Sequence, residues 1–464
     1  MTEEKKKTNL KLMLMDKLPG YNTLVKPIHL AKAVVAGARY ALPARKLKVI
    51  GVTGTNGKTT TCFMIWKMLN ESGRKTGLMT TVAWGVKRLQ PELNHMTTED
   101  SMTLNRRIKE MRDQGAEYLV LEVTSHAMSQ FRTLGVPVEI AVFTNLTHEH
   151  LDYHKTIQRY RAAKCKLFKK AKFGVINADD GNSKWFMKAS REYVTYGIKN
   201  GKLRGRKIKL SPSGVQYACG DMKLKVQIPG EFNVYNSLAA IAVGQKLGLT
   251  DKEIENGINA LESVEGRMTR VDEGQDFTVI VDYAHTPDAL EKAFKALGEV
   301  KGKVISVHGG AGRRDESTRA ERGEILAKYS DYVIITEDDS RDEDPSKIAQ
   351  QFVKGAEEMG KKEGSDLMVN LNREEAIKAA IKLAKKGDIV MLLGKGHEKT
   401  ILRADGPHEF EDIKIAQKYL RDRAKEDKEE EEMAEKLKKL REAALKREAA
   451  RRKLEEDVYG NITE

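Results

Sequence analysis

The sequence predicts an α/β protein with two successive domains, each built on a parallel sheet, and a charged C-terminal helix. Two observations support this prediction. Short apolar runs alternate with helical patterns along residues 48–267, and a second series of the same kind follows along residues 268–422. Strands that alternate with helices indicate a parallel sheet covered by helices. The length of 464 residues agrees, because domains of roughly 100–200 residues allow two to four of them.

The composition excludes several classes of protein. Ten prolines in 464 residues rule out a proline-rich or collagen-like chain. The three cysteines, Cys62, Cys165 and Cys219, are too widely spaced for a disulfide framework or a zinc site, which fits a reducing compartment. The sequence contains no run of about 18 apolar residues, so we expect no membrane-spanning helix. The polar, lysine-rich segment Met1–Lys7 does not resemble the start of a signal peptide. We therefore expect a cytoplasmic protein.

The net charge is +14 and lies in the body of the chain. Residues 421–464 contain 13 Lys and Arg against 14 Asp and Glu, which sums to −1, so the rest of the chain has a charge of +15. A basic body suits nucleic-acid binding or the electrostatic steering of small anionic substrates. Composition does not distinguish the two.

Each series predicts specific elements. The first predicts strands at Lys48–Val52, Tyr118–Val123, Ile140–Phe143 and Gly174–Asn177, and helices at Phe63–Glu71, Leu104–Gln114 and Ile157–Lys170. The second predicts strands at Phe277–Val281, Lys303–His308, Tyr332–Thr336 and Asp388–Leu393, and helices at Pro287–Leu297, Arg319–Tyr329, Pro345–Glu358 and Glu374–Lys385. Between them, Lys202–Val226 reads as an antiparallel edge or a β-rich insert.

The predicted domains are a short segment at 1–47, a central domain at 48–267, a C-terminal domain at 268–422 and a helical tail at 423–464. Residues 422–457 are almost all Glu, Lys, Arg and Ala, with a thin apolar stripe of Leu437, Leu440, Ala444 and Leu454. A solvated helix with internal salt bridges is the favoured interpretation. A helix that binds a protein partner is the alternative.

The strongest local signal is a phosphate-binding loop, GVTGTNGKTTT, at Gly51–Thr61. A predicted strand precedes it and a predicted helix follows it. The glycines let the backbone approach phosphates, and the amides at the start of the helix face the anion. Lys58 can then reach the β- and γ-phosphates of ATP, and the Thr59 hydroxyl can ligate Mg²⁺.

Two further segments contain candidate ligands. Glu122 ends a predicted strand, where parallel sheets bind their ligands, although many such acids are simply solvated. The segment Phe143–His154 contains three histidines and two acids in its last seven residues, which suggests metal or phosphate chemistry or a polar structural loop. Lys164 reads as an ordinary helix lysine from its own surroundings.

The order of these motifs resembles that of the Mur ligases, ATP-dependent amide ligases of peptidoglycan precursor synthesis, and most of all the members that add the third residue to UDP-N-acetylmuramoyl-L-alanyl-D-glutamate. The matching motifs extend from Gly51 to Glu398, about three quarters of the chain. They are GVTGTNGKTTT, EVTSHAMSQFR, FTNLTHEHLDYH, YRAAKCKLF, GEFNVYNSLAA, VEGRMTRVD, VDYAHTPDAL, TEDDSRDEDP and LLGKGHE.

The resemblance implies a P-loop central domain, a Rossmann-like C-terminal domain, and ATP and Mg²⁺ as cofactors. It implies nucleotide contacts at Gly54, Thr55, Asn56, Gly57, Lys58, Thr59, Thr60, Asn236, Arg267, Asp282 and His285. It implies magnesium ligands at Thr59, Glu122, His150 and a carbamylated Lys164, and catalytic roles for Lys58, Glu122, His150 and Lys164. It implies muramoyl-peptide contacts at Thr97, Thr98, Thr124, Ser125, Gln130 and Arg132.

The incoming amino acid is expected to be meso-diaminopimelate. In the family an Asp-Asn-Pro-Arg motif accompanies this substrate, and its Arg pairs with the distal carboxylate. Here the motif is Asp338-Asp339-Ser340-Arg341, which keeps the Arg but changes the middle of the loop. Its implied contacts are Arg319, Asp338, Asp339, Arg341, Gly394 and Glu398.

Other functions remain open. One is an L-lysine-adding ligase. Another is a related ligase of the folylpolyglutamate or cyanophycin type that acts on an acceptor without UDP, since only about 47 residues stand where family members have a uridine-binding domain. The third is a basic P-loop protein that binds nucleic acid, which the low aromatic content of 6% disfavours.

Overall fold

A nine-stranded β-sheet forms the centre of the first domain in the computed structural model, which describes residues 25–92, 96–211, 213–314 and 316–460. Part of the predicted N-terminal segment, residues 1–24, lies outside these residues. The strands are β1 (Lys48–Thr53), β2 (Thr76–Met79), β3 (Ala83–Gly85), β4 (Leu89–Pro91), β5 (Tyr118–Glu122), β6 (Ile140–Phe143), β7 (Phe173–Asn177), β8 (Tyr193–Gly197) and β9 (Leu203–Arg204). Their spatial order is β4-β3-β2-β5-β1-β6-β7-β8-β9.

Most of this sheet is parallel, and only β3 and β4 run antiparallel to their neighbours at one edge. The central strand β1 pairs with β5 on one side and β6 on the other. It is buried from Val49 to Thr53, as expected of a strand that helices cover on both faces. The helices of this domain are α1 (Lys26–Arg39), α2 (Lys58–Glu71), α3 (Ser101–Asp113), α4 (Ser125–Ser129), α5 (Leu151–His154), α6 (Ile157–Lys170), α7 (Ser183–Ala189), α8 (Phe232–Lys246) and α9 (Asp251–Asn259).

The segment predicted as an antiparallel edge or an insert contains both an edge strand and an insert. Its first strand, β9, continues the large sheet, but it pairs with β8 in parallel. The next three strands form a separate antiparallel sheet in the order β10-β11-β12. They are β10 (Arg206–Ser211), β11 (Gly214–Cys219) and β12 (Met222–Val226).

A six-stranded sheet forms the second domain, in the order β13-β14-β18-β15-β16-β17. Only β13 is antiparallel to its neighbour. The strands are β13 (Thr269–Val271), β14 (Thr278–Asp282), β15 (Val304–Gly310), β16 (Tyr332–Glu337), β17 (Leu367–Val369) and β18 (Ile389–Leu393). The helices are α10 (Pro287–Lys295), α11 (Arg319–Tyr329), α12 (Pro345–Glu358) and α13 (Arg373–Leu383), and a hairpin of β19 (Thr400–Arg403) and β20 (Gly406–Glu409) follows.

The predicted α/β fold class is confirmed, and every strand and helix predicted above lies within a few residues of an observed one. Four helices begin earlier than predicted. Helix α2 starts at Lys58 because Gly57, with φ of 81°, supplies the left-handed residue that ends the loop. The tail forms the helix α14 (Asp412–Gly460), whose first turns pack on the second domain. Among the described helices, none is both long and apolar enough to span a membrane.

A buried ion pair anchors α14. Arg373 and Asp412 are both inaccessible to solvent, and the guanidinium donates two hydrogen bonds to the carboxylate at 2.8 and 2.7 Å. Arg373 also donates to the carbonyl of Leu393, at the end of β18. Loss of one partner of a buried ion pair strongly destabilises the folded protein. This contact therefore holds the start of α14 against the end of β18.

Replacing Arg373 with Met should therefore cost about 3–5 kcal/mol of folding free energy, because the Asp412 carboxylate is left buried without its counter-ion. Urea unfolding followed by circular dichroism measures this loss. The matched control is Lys418→Met, which breaks the exposed Lys418–Glu374 pair between the same two helices and should cost about 1 kcal/mol or less. Equal losses in the two variants would contradict the anchoring role, and Arg373→Met with Asp412→Leu should recover much of the stability.

Candidate functional site

A cleft of about 960 Å³ lies between the two domains. The first domain contributes the phosphate-binding loop and the segments that follow β5 and β6. The second contributes the segments that follow β14, β16 and β18. Asn56 Nδ2 donates to Asp288 Oδ2 of the second domain at 2.7 Å, and Arg267, in the segment between the two sheets, donates from Nη2 to Thr59 Oγ1 at 3.2 Å.

The phosphate-binding loop has the geometry that its sequence predicts. Gly57 adopts a left-handed conformation, and an added Cβ would lie 2.4 Å from Asn236 Oδ1. Asn236 cannot move aside easily, because its amide accepts from Thr61 Oγ1 and donates to Asn233 Oδ1. Lys58 Nζ donates to the carbonyl of Thr55 at 2.7 Å. The Lys58 ammonium therefore folds back over the loop, where a phosphate chain would lie.

Glu122 lies at the bottom of this part of the cleft and is buried. Its Oε2 accepts hydrogen bonds from Thr59 Oγ1 at 3.0 Å and from both the backbone amide and the hydroxyl of Thr81 at 3.1 Å. The Lys58 ammonium is 4.0 Å from Oε1. The structure thus brings together the two predicted ligands Thr59 and Glu122, and it adds Thr81, which no sequence pattern indicated.

Glu149 is the main residue that the sequence analysis did not single out. Its carboxylate is 3.6 Å from His150 Nε2 and 3.4 Å from His285 Nε2, and it accepts from the hydroxyl of Tyr160 at 3.4 Å. Burial alone would raise the pKa of Glu149, but the charge of His150 and the hydrogen bond from His285 bring it well below its usual value. The signal was present, since Glu149 stands between two histidines at 148–150.

Lys164 is fully buried beneath the loop. Its Nζ donates to the carbonyl of Gly54 at 2.6 Å and lies 4.6 Å from the centre of the Tyr160 ring. Burial and the nearby Lys58 lower the pKa of Lys164 well below its ordinary value. Burial thus shifts Lys164 towards the neutral amine, and this form of lysine is a nucleophile.

The other predicted nucleotide contacts surround the same loop. Thr55 Oγ1 lies 3.2 Å from the Tyr160 hydroxyl, and Thr60 is buried within the first turn of α2. Asp282 accepts from the amides of Met268 and Ala284 at 2.7 and 2.8 Å, and burial raises its pKa. His285 lies beyond it and contacts Glu149 across the cleft.

The residues predicted to contact the acceptor form a connected network beside Glu122. Thr98 Oγ1 donates to the carbonyl of Glu122 and lies 3.3 Å from Thr124 Oγ1. Arg132 donates to Gln130 Oε1 and to the carbonyl of Thr98. Among the remaining residues of this group, Thr97 lines the cleft and Ser125 Oγ lies 3.0 Å from His154 Nε2.

A second charged cluster lies at the other end of the cleft, where β16 and β18 end. The ammonium of Lys395 lies 2.7 Å from Asp339 Oδ1, 2.5 Å from Glu398 Oε2 and 3.4 Å from Asp338 Oδ1. Burial opposes the charge of Lys395, but the three carboxylates raise its pKa. Lys395 was also missed by the sequence analysis, because its position in LLGKGHE gives no sign that three acids from two loops surround it.

Arg341 and Gly394 border this cluster and line the cleft. Arg341 donates to the carbonyl of Gly312, and its Nη2 is 3.7 Å from Asp339 Oδ2. Arg319 lies elsewhere: it is fully buried, pairs with Glu343 at 2.5 Å and donates to Gln351 at 2.8 Å. It does not border the cleft, so its predicted substrate contact remains a prediction without a structural counterpart.

The donor groups around Glu122 suit Mg²⁺. Glu122 and the hydroxyls of Thr59 and Thr81 are hard oxygen donors that converge near Lys58, and Glu149 is a second carboxylate of the same cleft. Mg²⁺ prefers one or two carboxylates with water and substrate phosphates. The residues present therefore fit this ion.

Replacing Gly57 with Ala should weaken the binding of Mg·ATP at least tenfold, because the new Cβ collides with Asn236 and displaces the loop. Isothermal titration calorimetry measures the Kd. Gly73→Ala is the matched control. Gly73 has nearly the same φ as Gly57, 80° against 81°, but an added Cβ at Gly73 meets nothing within 4 Å. The control variant therefore has the same cost of a left-handed alanine without the collision. Unchanged binding in Gly57→Ala would contradict the assignment of the loop.

Known proteins share this architecture. The sequence profile described as the Mur ligase middle domain matches residues 52–244, and the profile described as the Mur ligase glutamate ligase domain matches residues 266–396. Among solved structures, a UDP-N-acetylmuramoyl-L-alanyl-D-glutamate–2,6-diaminopimelate ligase is 30% identical with a TM-score of 0.57, covering 82% of this chain and 79% of that one. A Mycobacterium tuberculosis folylpolyglutamate synthase is 16% identical with a TM-score of 0.65, over 79% and 92% of the two chains, and shows the shared fold alone.

Curated relatives are more similar in sequence. A UDP-N-acetylmuramoyl-L-alanyl-D-glutamate–2,6-diaminopimelate ligase of Syntrophomonas wolfei is 40% identical over 85% of this chain and 82% of its own length. The enzyme of that name from Geobacillus thermodenitrificans is 39% identical over 85% and 83%. The two matched profiles, the shared fold and these identities establish that the chain belongs to the Mur ligase family of ATP-dependent amide ligases.

Proposed function

We propose that this protein joins meso-diaminopimelate to UDP-N-acetylmuramoyl-L-alanyl-D-glutamate with the hydrolysis of ATP to ADP and phosphate. The observation that supports it most is the single cleft with a phosphate-binding loop at one end and the Asp338–Asp339–Glu398–Lys395 cluster with Arg341 at the other. A ligase needs both, since one end activates a carboxylate and the other presents an amine. The substrates named for the relatives from Syntrophomonas and Geobacillus agree with this proposal.

The reaction begins when the acceptor carboxylate attacks the γ-phosphorus of ATP, which forms an acyl phosphate and releases ADP. Negative charge gathers on the transferred phosphoryl group during this step. Lys58 and the amides at the start of α2 are positioned to stabilise it. Magnesium held by Thr59 and Glu122, with His150 nearby, would neutralise the phosphate oxygens when bound.

The second step forms the amide. The neutral amine of the incoming amino acid attacks the acyl carbon, which forms the C–N bond and a tetrahedral intermediate. The intermediate then collapses as its C–O bond to phosphate breaks, and the nitrogen loses a proton to become the amide. An acyl phosphate is readily lost to hydrolysis, so the reacting groups need shelter from water. The walls of the cleft come from both domains, and the Asn56–Asp288 and Glu149–His285 contacts hold these walls together.

Lys164 is proposed to act as a carbamate. A neutral Lys164 amine attacks CO₂, a new N–C bond forms, and one proton is released, which converts the neutral amine into an anion with two oxygen donors. The low pKa of Lys164 supports this chemistry because the attacking form is the neutral amine. Its position beneath Gly54 would place the carbamate among the magnesium ligands.

The charges around Arg341 bear on the choice of amino acid. A distal carboxylate of diaminopimelate would pair with the Arg341 guanidinium, a contact that is often bidentate. The distal ammonium would face Asp338, Asp339 and Glu398. L-Lysine is a second candidate, because Asp339 already lies 3.7 Å from Arg341 and the three carboxylates also suit a lone ammonium.

Phosphate release with UDP-N-acetylmuramoyl-L-alanyl-D-glutamate, measured separately with diaminopimelate and L-lysine, tests the proposal. We expect turnover with diaminopimelate, and Arg341→Ala should raise its KM by about tenfold or more, the loss expected for one charge-assisted contact of about 1.5–3 kcal/mol. Arg313→Ala is the control, because Arg313 pairs with exposed Asp342 and does not line the cleft. Turnover with lysine alone would favour the second candidate, and turnover only on an acceptor without UDP would contradict both.

Replacing Lys164 with Ala should lower ligation by about a hundredfold or more, the scale of losing a central electrostatic group. Added formate, acetate or propionate should restore part of the activity by occupying the space of the carbamate. Steady-state phosphate release measures both effects. Lys166→Ala, an exposed lysine of the same helix, should retain full activity. Full activity in Lys164→Ala, or an absence of rescue by every carboxylate, would refute the carbamate.

A further inference from the structure

The exposed part of α14 has a regular apolar stripe. Every side chain from 424 to 452 is exposed. Within this stretch Met433, Leu437, Leu440 and Ala444 follow one another at alternating spacings of four and three residues, and the first three are 59–66% exposed. Alternation of four and three is the 3.5-residue period of coiled coils. Solubility alone does not require an apolar stripe with this period.

Charge is distributed unequally along the same helix. Residues 426–435 contain seven acidic residues and one basic residue, a net charge of −6. Residues 436–453 contain nine basic residues and two acidic ones, a net charge of +7. The boundary between the two segments falls within the apolar stripe. This segment of α14 is thus complementary in charge to a second copy of itself that runs in the opposite direction.

We propose that α14 pairs with the α14 of a second copy of this chain as an antiparallel coiled coil. Aligning the two stripes on their common centre, between residues 438 and 439, places Leu437 opposite Leu440 of the partner subunit. The same register places Met433 opposite Ala444 of the partner subunit. These contacts bury the exposed stripe of each helix, which is the driving force for association.

The register also pairs the charged positions that continue the stripe. The alternation of three and four residues extends outward to Glu430 and Glu426 on one side and to Arg447 and Arg451 on the other. In the antiparallel register Glu430 faces Arg447 of the partner subunit, and Glu426 faces Arg451 of the partner subunit. A parallel pair would set each of these residues against its own copy, and like charges at facing positions repel.

The ion pairs within α14 are compatible with this pairing. Lys439 contacts Glu435 at 2.7 Å, and Arg452 contacts Glu448 at 2.8 Å. All four residues lie off the 4-3 stripe, so they can keep these pairs in the coiled coil. Internal salt bridges account for the abundance of charge on α14. They do not account for its segregation into two halves.

The arrangement also separates two basic bodies. Each body has a net charge of +15, and an antiparallel pair holds the two at opposite ends of the coiled coil. Residues 425–452 span about 40 Å at 1.5 Å per residue, several times the Debye length of about 8 Å at physiological ionic strength. Repulsion between the bodies is therefore screened, which a parallel pair with adjacent bodies would not achieve.

Sedimentation of the full-length protein tests the proposal, over a concentration series that reaches hundreds of micromolar. We expect a concentration-dependent dimer that weakens as salt is raised. Leu437→Glu with Leu440→Glu should abolish it. Leu445→Glu is the matched control, because Leu445 is equally exposed on the same helix but lies off the stripe. A monomer at every concentration, or equal effects of the stripe and control variants, would overturn the proposal.

Two further variants test the orientation. Glu430→Arg and Arg447→Glu should each weaken the dimer, and the double variant should restore it, since the charges are then exchanged between facing positions. A mixture of Glu430→Cys with Arg447→Cys should form the interchain disulfide under mild oxidation, because the two positions face each other. In the antiparallel pair two copies of residue 430 are about 25 Å apart, beyond the reach of a disulfide. A disulfide in Glu430→Cys alone, or no charge rescue, would overturn the antiparallel register.

Discussion

The site depends on one constraint of the fold, the common direction of the central strands in the two sheets. Parallel strands bring their carboxyl ends to the same edge of a sheet, where α/β proteins bind ligands. The phosphate-binding loop follows β1, Glu122 ends β5, and Glu149 follows β6. In the second domain Asp282 ends β14, and the Asp338 and Lys395 loops follow β16 and β18. The cleft is therefore where the two sheet edges face each other.

Charge compensation explains why these groups can be buried together. A carboxylate taken out of water is costly unless hydrogen bonds or a cation stabilise it. Glu122 has three such hydrogen bonds and Lys58 nearby, and Glu149 has two histidines and a tyrosine. Lys164 instead donates to the carbonyl of Gly54. This difference in surroundings is the basis for the proposals that Lys58 binds phosphate and that Lys164 is carbamylated.

The sequence predicted what depends on local pattern. The buried strands, the loop at Gly51–Thr61 and Glu122 at a strand end all follow from periodicity and position, and the structure contains each of them. It did not predict contacts made by residues distant in sequence. Lys395 meets Asp338 and Asp339 only because β16 and β18 end at the same edge, with β15 between them. The burial of Arg319 against Glu343 likewise depends on packing that its own segment does not reveal.

The structure also connects the C-terminal helix with the site, a contact that no sequence pattern predicts. Arg373 binds Asp412 in the first turn of α14 and the carbonyl of Leu393, the residue before Gly394. The start of α14 is thereby fixed to the strand end from which Lys395 and Glu398 extend. The Asp338–Asp339–Glu398–Lys395 cluster thus lies beside the strand end to which the first turn of α14 is bound. In the proposed antiparallel coiled coil, the two copies of the chain would therefore place their clefts at opposite ends of the paired helices. Each cleft would then be complete within one copy and would bind its own substrates.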